Sequence, residues 1–494
     1  MNPLLQRVVS WLPRPLLPKA FSSIYESANA SPRRGSIPGA SPRDAKLDLT
    51  PHVHRELIRR SRYLARNSGF VREMVTNMTI YSTGDGIRPQ AQSEDANWNR
   101  QAEACFRAWS ARCEITGRFS FEEVQSLVCR GMDVDGEYFI HLTRSRIGIA
   151  ALQLIEAHRI GDGAGFGDTC HGIRLDAWGA PVAYRVLEDQ GGQRELPAAS
   201  VLHVFEPEQV TSIRNAPTIQ HSINHILDEM ELLALEKHAV KDNCDVTRVL
   251  KTESGDLDDD SDFAITGEQP DEPGQSDPTT LQQITGGKLV ALKPHESIES
   301  FEPKRPSPTF TGFLEHLRRD SALGILPYEF AADSSKIGGA GVRMVVAKAD
   351  RRFSYRQMIL IQRFIKPVWF YVIGDAIDRG ELEAVPGWWK ISCVTPRRIT
   401  VDAGREAQQN RADVEMGLKT ISDHFEELGA DFGEELERRA RDAKMILEAA
   451  AKHGIPVEML WKPSGSVARG EDAEAPLRAT PPKTHVRSDD KAVR

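Results

Sequence analysis

An α+β fold, predominantly helical, is predicted by three features of this sequence. Long stretches place apolar residues at helical spacing, most clearly Ile219, Ile223, Ile226, Met230 and Leu233, which repeat at steps of 4, 3, 4 and 3. One zone, residues 136–206, changes to a period of two, as in Tyr138, Ile140 and Leu142. A chain of 494 residues is also too long for one core and predicts roughly two to four domains.

Composition narrows the function classes. A formal net charge of -8 argues against a surface dedicated to gripping nucleic acid, though not against a body that lets nucleic acid pass. Six scattered cysteines with no CxxC pair read as reduced thiols in a cytoplasmic setting. No apolar run approaches the ~18 residues of a membrane span. Residues 1–20 mix leucines and valines with Arg7, Arg14 and Lys19, are interrupted by prolines, and lack a signal-peptide cleavage pattern.

Taken in order, residues 1–50 read as a disordered arm, rich in Ser, Pro, Gly and Arg over 21–50 and with a weak interfacial helix as the alternative over 1–20, and residues 463–494 read as a similar tail. Leu57, Leu64, Val71, Met74 and Met78 predict a helix, or a pair broken near Asn67 to Gly69, ended by the turn residues Gly84, Asp85 and Gly86. Phe106 with Trp109, and Phe121 with Val124 and Val128, mark two more helices. Residues 136–206 then predict one small, mostly antiparallel sheet, with a hairpin turning through Asp176 to Pro181. The apolar stripe that starts at Ile219, behind Pro217, continues toward Val240 and Cys244 and predicts a helix of roughly 30 residues, about 45 Å long. So narrow a stripe requires partners, from this chain or from neighbouring copies.

Residues 252–283 are acidic and nearly free of large apolar side chains. Two strand-like runs follow, Lys288 to Leu292 and Ser297 to Phe301, and then a helix from Phe310 to Leu326. A glycine-rich loop, Lys336 to Gly341, leads into a helical pattern from Val342 to Val372 that Pro367 should kink. The block from Val401 to Leu460 predicts further helices: one carries a stripe of Val414, Leu418, Ile421, Phe425 and Leu428 and is closed by Gly429. The next is opened by Asp431 and Glu434 and ended by Gly454 and Pro456.

No catalytic constellation emerges. Asp256, Asp258, Asp260 and Asp262 alternate like a calcium loop, but Ser261 and Gly267 stand where glycine and glutamate are needed. His221 and His225 lie one helical turn apart without a third ligand. His295-Glu296 lacks the second histidine of a zinc-protease helix, Gly286-Gly287-Lys288 lacks the rest of a phosphate loop, and no G-x-S-x-G elbow occurs. No enzyme activity, cofactor or metal is expected. The small residues and lysine of the loop from Asp333 to Gly341 suit either a plain surface connection or transient contact with a phosphate backbone.

The sequence resembles the lambda-like family of tailed-bacteriophage portal proteins. The resemblance is carried by Arg66-Asn67-Ser68-Gly69 leading to Gly84-Asp85-Gly86-Ile87, Gly136-Glu137-Tyr138-Phe139, and Leu152-Gln153-Leu154-Ile155-Glu156. Gly172-Ile173 with Asp176-Ala177-Trp178-Gly179-Ala180-Pro181-Val182-Ala183-Tyr184, Val201-Leu202-His203-Val204-Phe205, and Leu326-Pro327-Tyr328-Glu329 followed by Asp333 complete it, in an order that runs through most of the chain.

The resemblance implies a portal-type fold with wing, stem, clip and crown, assembled as a ring of about twelve subunits around a DNA channel at one capsid vertex. It implies a wing at 51–216, a first stem helix at 217–250, a clip at 251–305, and a second stem helix at 306–330. A tunnel loop at 331–343, a wing return with a kinked helix at 344–400, and a crown at 401–462 follow.

Ser334, Ser335, Lys336, Gly338, Gly339, Gly341 and Arg343 are expected along the DNA channel. Ile219, Ile223, Ile226, Met230 and Leu233 are expected between subunits, and Asp256, Asp258, Asp259, Asp260 and Asp262 toward the terminase.

The implied partners are identical subunits, the terminase large subunit, major capsid and scaffold proteins, a head–tail connector, and double-stranded DNA passing without sequence specificity; no membrane is implied. The implied location is the virion, and the host cytoplasm during assembly. Alternatives are another head or connector structural protein, or a packaging nuclease or ATPase.

Two departures stand out. Arg214-Asn215-Ala216 occupies the place of an Arg-Gly pair, and Gly339-Ala340-Gly341-Val342-Arg343 keeps only the arginine of a Tyr-Ser-Ser-Ala-Arg run.

Overall fold

The computed structural model describes residues 44–162, 169–189, 191–245, 248–251, 289–292, 308–401, 403–428, 430 and 432–460. The fold is α+β and mainly helical, and it divides into two compact units, Met1–Glu406 and Ala407–Arg494.

The first unit opens with a short helix α1 (Ala45–Asp48), whose Ala45 N–H donates to Thr211 Oγ1 at 3.0 Å. Ala45–Asp48 are thus helical, in contrast to the disorder expected through residue 50, and this hydrogen bond ties them to a distant segment. Helices α2 (Pro51–Asn67) and α3 (Gly69–Thr83) follow. Ser68 ends one and caps the other, accepting the Val71 N–H, which accounts for the break expected there. Gly84, at φ +49°, terminates α3.

Strand β1 (Arg88–Ala91), α4 (Ala96–Ser110) and α5 (Phe121–Val134) come next. In α5, Ser120 and Glu123 form a reciprocal capping box. Where one sheet was expected there are two. β2 (Glu137–Arg144) and β3 (Ala150–Glu156) pair antiparallel; β4 (Ile173–Leu175), β5 (Pro181–Leu187) and β6 (Gln193–Pro197) form a separate sheet in the order β4-β5-β6. β7 (Val201–Phe205) returns to the first, giving β3-β2-β7 with Ile140 opposite both Leu154 and Leu202. Period-two alternation sets which face of a strand is buried, not which strand it joins.

Helix α6 (Ile223–Asp245) has 23 residues, shorter than expected: a 3₁₀ turn at Gln220–Ser222 precedes it, and a strand begins at Arg248, within the span expected to be helical. Strands β8 (Arg248–Lys251) and β9 (Leu289–Leu292) pair in parallel. The acidic stretch 252–283 and the run from Ser297 to Phe301 lie outside the described residues. Helices α7 (Pro308–Ala322) and α8 (Tyr328–Ala331) lead to α9 (Gly339–Leu360). A π-helical turn, Ile361–Ile365, joins α9 to α10 (Lys366–Asp378), so the irregularity expected at Pro367 sits one turn earlier. Proline lacks the N–H that an unbroken α-helix would require there, and the wider turn accommodates it. Strand β10 (Ile391–Val394) pairs with β1.

Three apolar clusters hold this unit together. Phe106, Phe121, Phe364 and Trp369 centre one; Leu64, Met74, Ile223, Ile226, Leu326 and Phe353 a second; Phe139, Ile155, Tyr184 and Val201 a third, between the sheets. Burial of each such side chain contributes about 1.5–3 kcal/mol.

Helix α11 (Ala403–Glu415) spans the boundary given above, and the second unit continues with α12 (Ile421–Glu427), α13 (Phe432–His453) and α14 (Val457–Leu460). The stripe expected from Val414 to Leu428 does not lie on one helix. Gly417, at φ +69°, stops α11, and Thr420 restarts α12 by accepting the Asp423 N–H at 3.0 Å. Phe425 packs on Phe432 with ring centroids 5.7 Å apart, and α13 ends at Gly454, φ +64°. Gly429 and Asp431 lie outside the described residues.

Candidate functional site

The segment with the strongest claim to function lies between α8 and α9. It is narrower than residues 331–343: Ala331 belongs to α8, and Gly339, Gly341 and Arg343 lie in the first turns of α9, leaving Ala332–Gly338 as the connection. Ser334, Ser335, Lys336, Gly338, Gly339 and Arg343 are exposed. Asp333 Oδ1 accepts the Ser335 N–H at 2.9 Å, which shapes the turn; the Ser335 side chain first and its N–H second hold the Asp333 carboxyl below its ordinary range.

Lys336 Nζ donates to Glu315 Oε2 at 2.5 Å, anchoring the loop to α7. The Glu315 carboxylate is held low by Lys336 first and Arg319 second. Arg319 in turn pairs with Glu329 and lies 4.9 Å from the Tyr328 ring centre. The loop's cation is thus part of a chain of charges, Lys336–Glu315–Arg319–Glu329, joining α7, α8 and the loop. Its exposure and pairing let Lys336 exchange Glu315 for another anion at little cost, since exposed pairs are worth ~0–1 kcal/mol.

None of Gly338, Gly339 and Gly341 has positive φ, and a Cβ at Gly338 or Gly339 would meet nothing within 4 Å. Gly338 and Gly339 are therefore not demanded by the chain's own backbone and leave main chain bare on an open side, whereas a Cβ at Gly341 would come within 3.3 Å of Ile337.

The other expected site residues are distributed differently. Ile219, Ile223 and Ile226 are buried at 0–2% exposure against Leu64, Met74, Ala322 and Leu326 of the same chain, with Met230 packed on that cluster and Leu233 half-buried. The first three are covered internally, so the reading of them as an intersubunit surface is corrected: α2, α3 and α7 already fill the stripe. Asp256, Asp258, Asp259, Asp260 and Asp262 lie outside the described residues. His225 Nε2 sits 3.4 Å from Asp320 rather than in a ligand set.

Sequence reasoning missed two buried charge centres. Glu137, at the start of β2, receives Arg214 Nε at 2.5 Å, His203 Nε2 at 2.8 Å and the Asn215 N–H at 3.2 Å. Arg214 also donates to the carbonyls of Ala157, Ile160 and His171 at 2.8–2.9 Å, and His54 donates to the Asn215 carbonyl at 2.9 Å. Burial pushes the Glu137 carboxyl up, but Arg214 and His203 together outweigh it and hold the group at about 2. Burial first, and the Arg214 charge second, lower His54 to about 4.

The second centre joins Arg356 to Asp133 at 2.7 Å, with Glu206 shared between Arg352 and Arg356. The first centre fixes the segment that enters α6, and the second ties α9 to α5 and to the residue after β7. Glu137 and Arg214 stand in the motifs Gly136-Glu137-Tyr138-Phe139 and Arg214-Asn215-Ala216, but nothing local in either marks the two as partners.

Residues 33–357 match the family model described as phage portal protein, lambda family. The chain belongs to this family. The matched span carries both sheets, α6, the loop with its lysine and most of α9. This portal-family chain is 22% identical over 413 residues to the "Probable portal protein" of Halomonas phage phiHAP-1, covering 76% of this chain and 78% of that protein. Among solved structures it is similar to the neck of an empty GTA particle computed with C6 symmetry (TM-score 0.43, 13% identity, 75% and 93% of the two chains). It is also similar to the neck of a native GTA particle computed with C12 symmetry (TM-score 0.43, 13% identity, 77% and 94%). Among the described residues no helix is long and apolar enough to cross a membrane.

Proposed function

We propose that this portal-family chain assembles into a closed ring of about twelve copies at one capsid vertex, through which double-stranded DNA enters and leaves. The observation that carries this reading is the family match across residues 33–357. Its role is structural, with the packaging ATPase and the head–tail connector as separate partners. In this reading α6 and α7 belong to the stem, residues 251–305 to a clip, and α11–α14 to a crown. The loop Ala332–Gly338 faces the channel, where Lys336 touches passing phosphates in turn with Glu315. The net charge of -8 favours a conduit that does not hold its cargo, since many fixed phosphate contacts would stall movement.

Mass measurement and negative-stain imaging of the purified chain test the ring: closed particles of about twelve copies with a central hole are expected. A monomer, or nucleotide turnover by the chain alone, would refute it. For the loop, Lys336→Ala is expected to leave the ring intact and reduce DNA packaging or genome retention. Unchanged packaging and retention would remove the lysine from the channel.

A further inference from the structure

Two of the helices around the second apolar cluster, α6 and α9, each turn an unused face outward, and the two faces carry opposite charge. On α6, Ile223, Ile226 and Glu229 point inward, and Glu229 is satisfied by Arg318 of the same chain at 2.7 Å. The far side of that helix presents Asp228, Glu231 and Leu235, all exposed, at spacings that place them in one row.

On α9, Ala349, Phe353 and Arg356 point inward, and Arg352 and Arg356 are taken up by Glu206 and Asp133. Its far side presents Met344, Lys348, Arg351, Tyr355 and Met358, a row repeating at 4, 3, 4 and 3 with Met344 63% exposed. Among the described residues, Asp228, Glu231, Lys348 and Arg351 have no ion-pair partner, whereas the charged residues on the inward faces do.

We infer that the acidic row of α6 docks on the basic, methionine-bearing row of α9 of a second copy of this chain, with Asp228 and Glu231 paired to Lys348 and Arg351. The inference rests on the ring reading and supplies the contact it needs. A closed ring is built from a heterologous interface, in which two different patches on one rigid body are complementary to each other. The two rows meet that requirement: they lie on different helices of one compact unit, are opposite in charge, and carry exposed apolar side chains beside the charges. Leu235, Met344, Tyr355 and Met358 supply the area that dehydrates, while the charges fix the register.

Charge exchange in the full-length protein tests this. Asp228→Lys with Glu231→Lys, and separately Lys348→Glu with Arg351→Glu, are each expected to reduce the ring fraction at least tenfold by mass measurement. The helical circular dichroism of each variant should match that of the wild type, because the residues are exposed in the single chain. The chain carrying all four exchanges is expected to form rings again. Rings that persist in both paired variants, with or without a packaging defect, overturn the interface while leaving the ring reading intact. Loss without rescue in the fourfold variant overturns the pairing. A wild-type protein that forms no ring refutes the underlying reading instead.

Discussion

Glu137 and His54 show how much a single buried carboxylate organises. Arg214 spends four N–H groups on Glu137 and three carbonyls, so the segment entering α6 is fixed by one side chain. The consequence is pH-dependent. His54 is held neutral to about pH 4, whereas an unfolded histidine takes its proton near 6.5. Below 6.5 the unfolded chain binds the extra proton, so stability falls as pH drops from 6.5 to 4, by on the order of 3 kcal/mol for this group alone. Glu137, depressed to about 2, adds a further loss between its ordinary value and 2. His54→Gln, which keeps a donor for Asn215, is expected to flatten the dependence of the urea midpoint on pH between 6.5 and 4. An unchanged slope would exclude His54 as its source. Lys336 was legible in the sequence as a cation among small residues. Its partner Glu315 was not, because it lies on another helix. Glu137 and Arg214 were read as parts of separate motifs and not as a pair, because charged residues are almost never fully buried unless paired, and pairing is a property of the fold.

At the scale of elements, local signals were read well where the stopping residue also caps. Ser68 and Gly84 set the limits of α3, and Gly454 ends α13. They were misread where an apolar period ran across a break, as from Val414 through Leu418 past Gly417. They were incomplete where pairing decides, as in the division of six strands into two sheets. Between α5 and β2 the chain turns at Gly136, φ +91°, where an added Cβ would lie 2.4 Å from the Ala216 carbonyl carbon. Gly148, φ +83°, has nothing within 4 Å. Gly136→Ala is therefore expected to cost about 3 kcal/mol or more, and Gly148→Ala only the backbone strain of ~1–3 kcal/mol. Chemical denaturation of both variants checks this, and equal losses would mean that the backbone approach is tolerated.

At the scale of the whole molecule, the separation after Glu406 carries its own expectation. A chain ending there should keep the cooperative thermal transition of the first unit, measured by calorimetry, while the full-length protein shows an additional event. Loss of that transition on truncation would make the two units one cooperative body. The mainly helical α+β class and the family resemblance were legible from periodicity and motif order. The pairing of β1 with β10 was not: Arg88–Ala91 contains Pro89 and is only four residues long, so nothing local marks it as a strand. That pairing, extended by Gln92 donating to Ser392, 300 residues further on, also bears on synthesis. At translation speeds of ~5–20 residues per second, the amino-terminal partner waits tens of seconds on the ribosome before its mate emerges. A polypeptide released early from translation lacks β10 and leaves β1 without its mate.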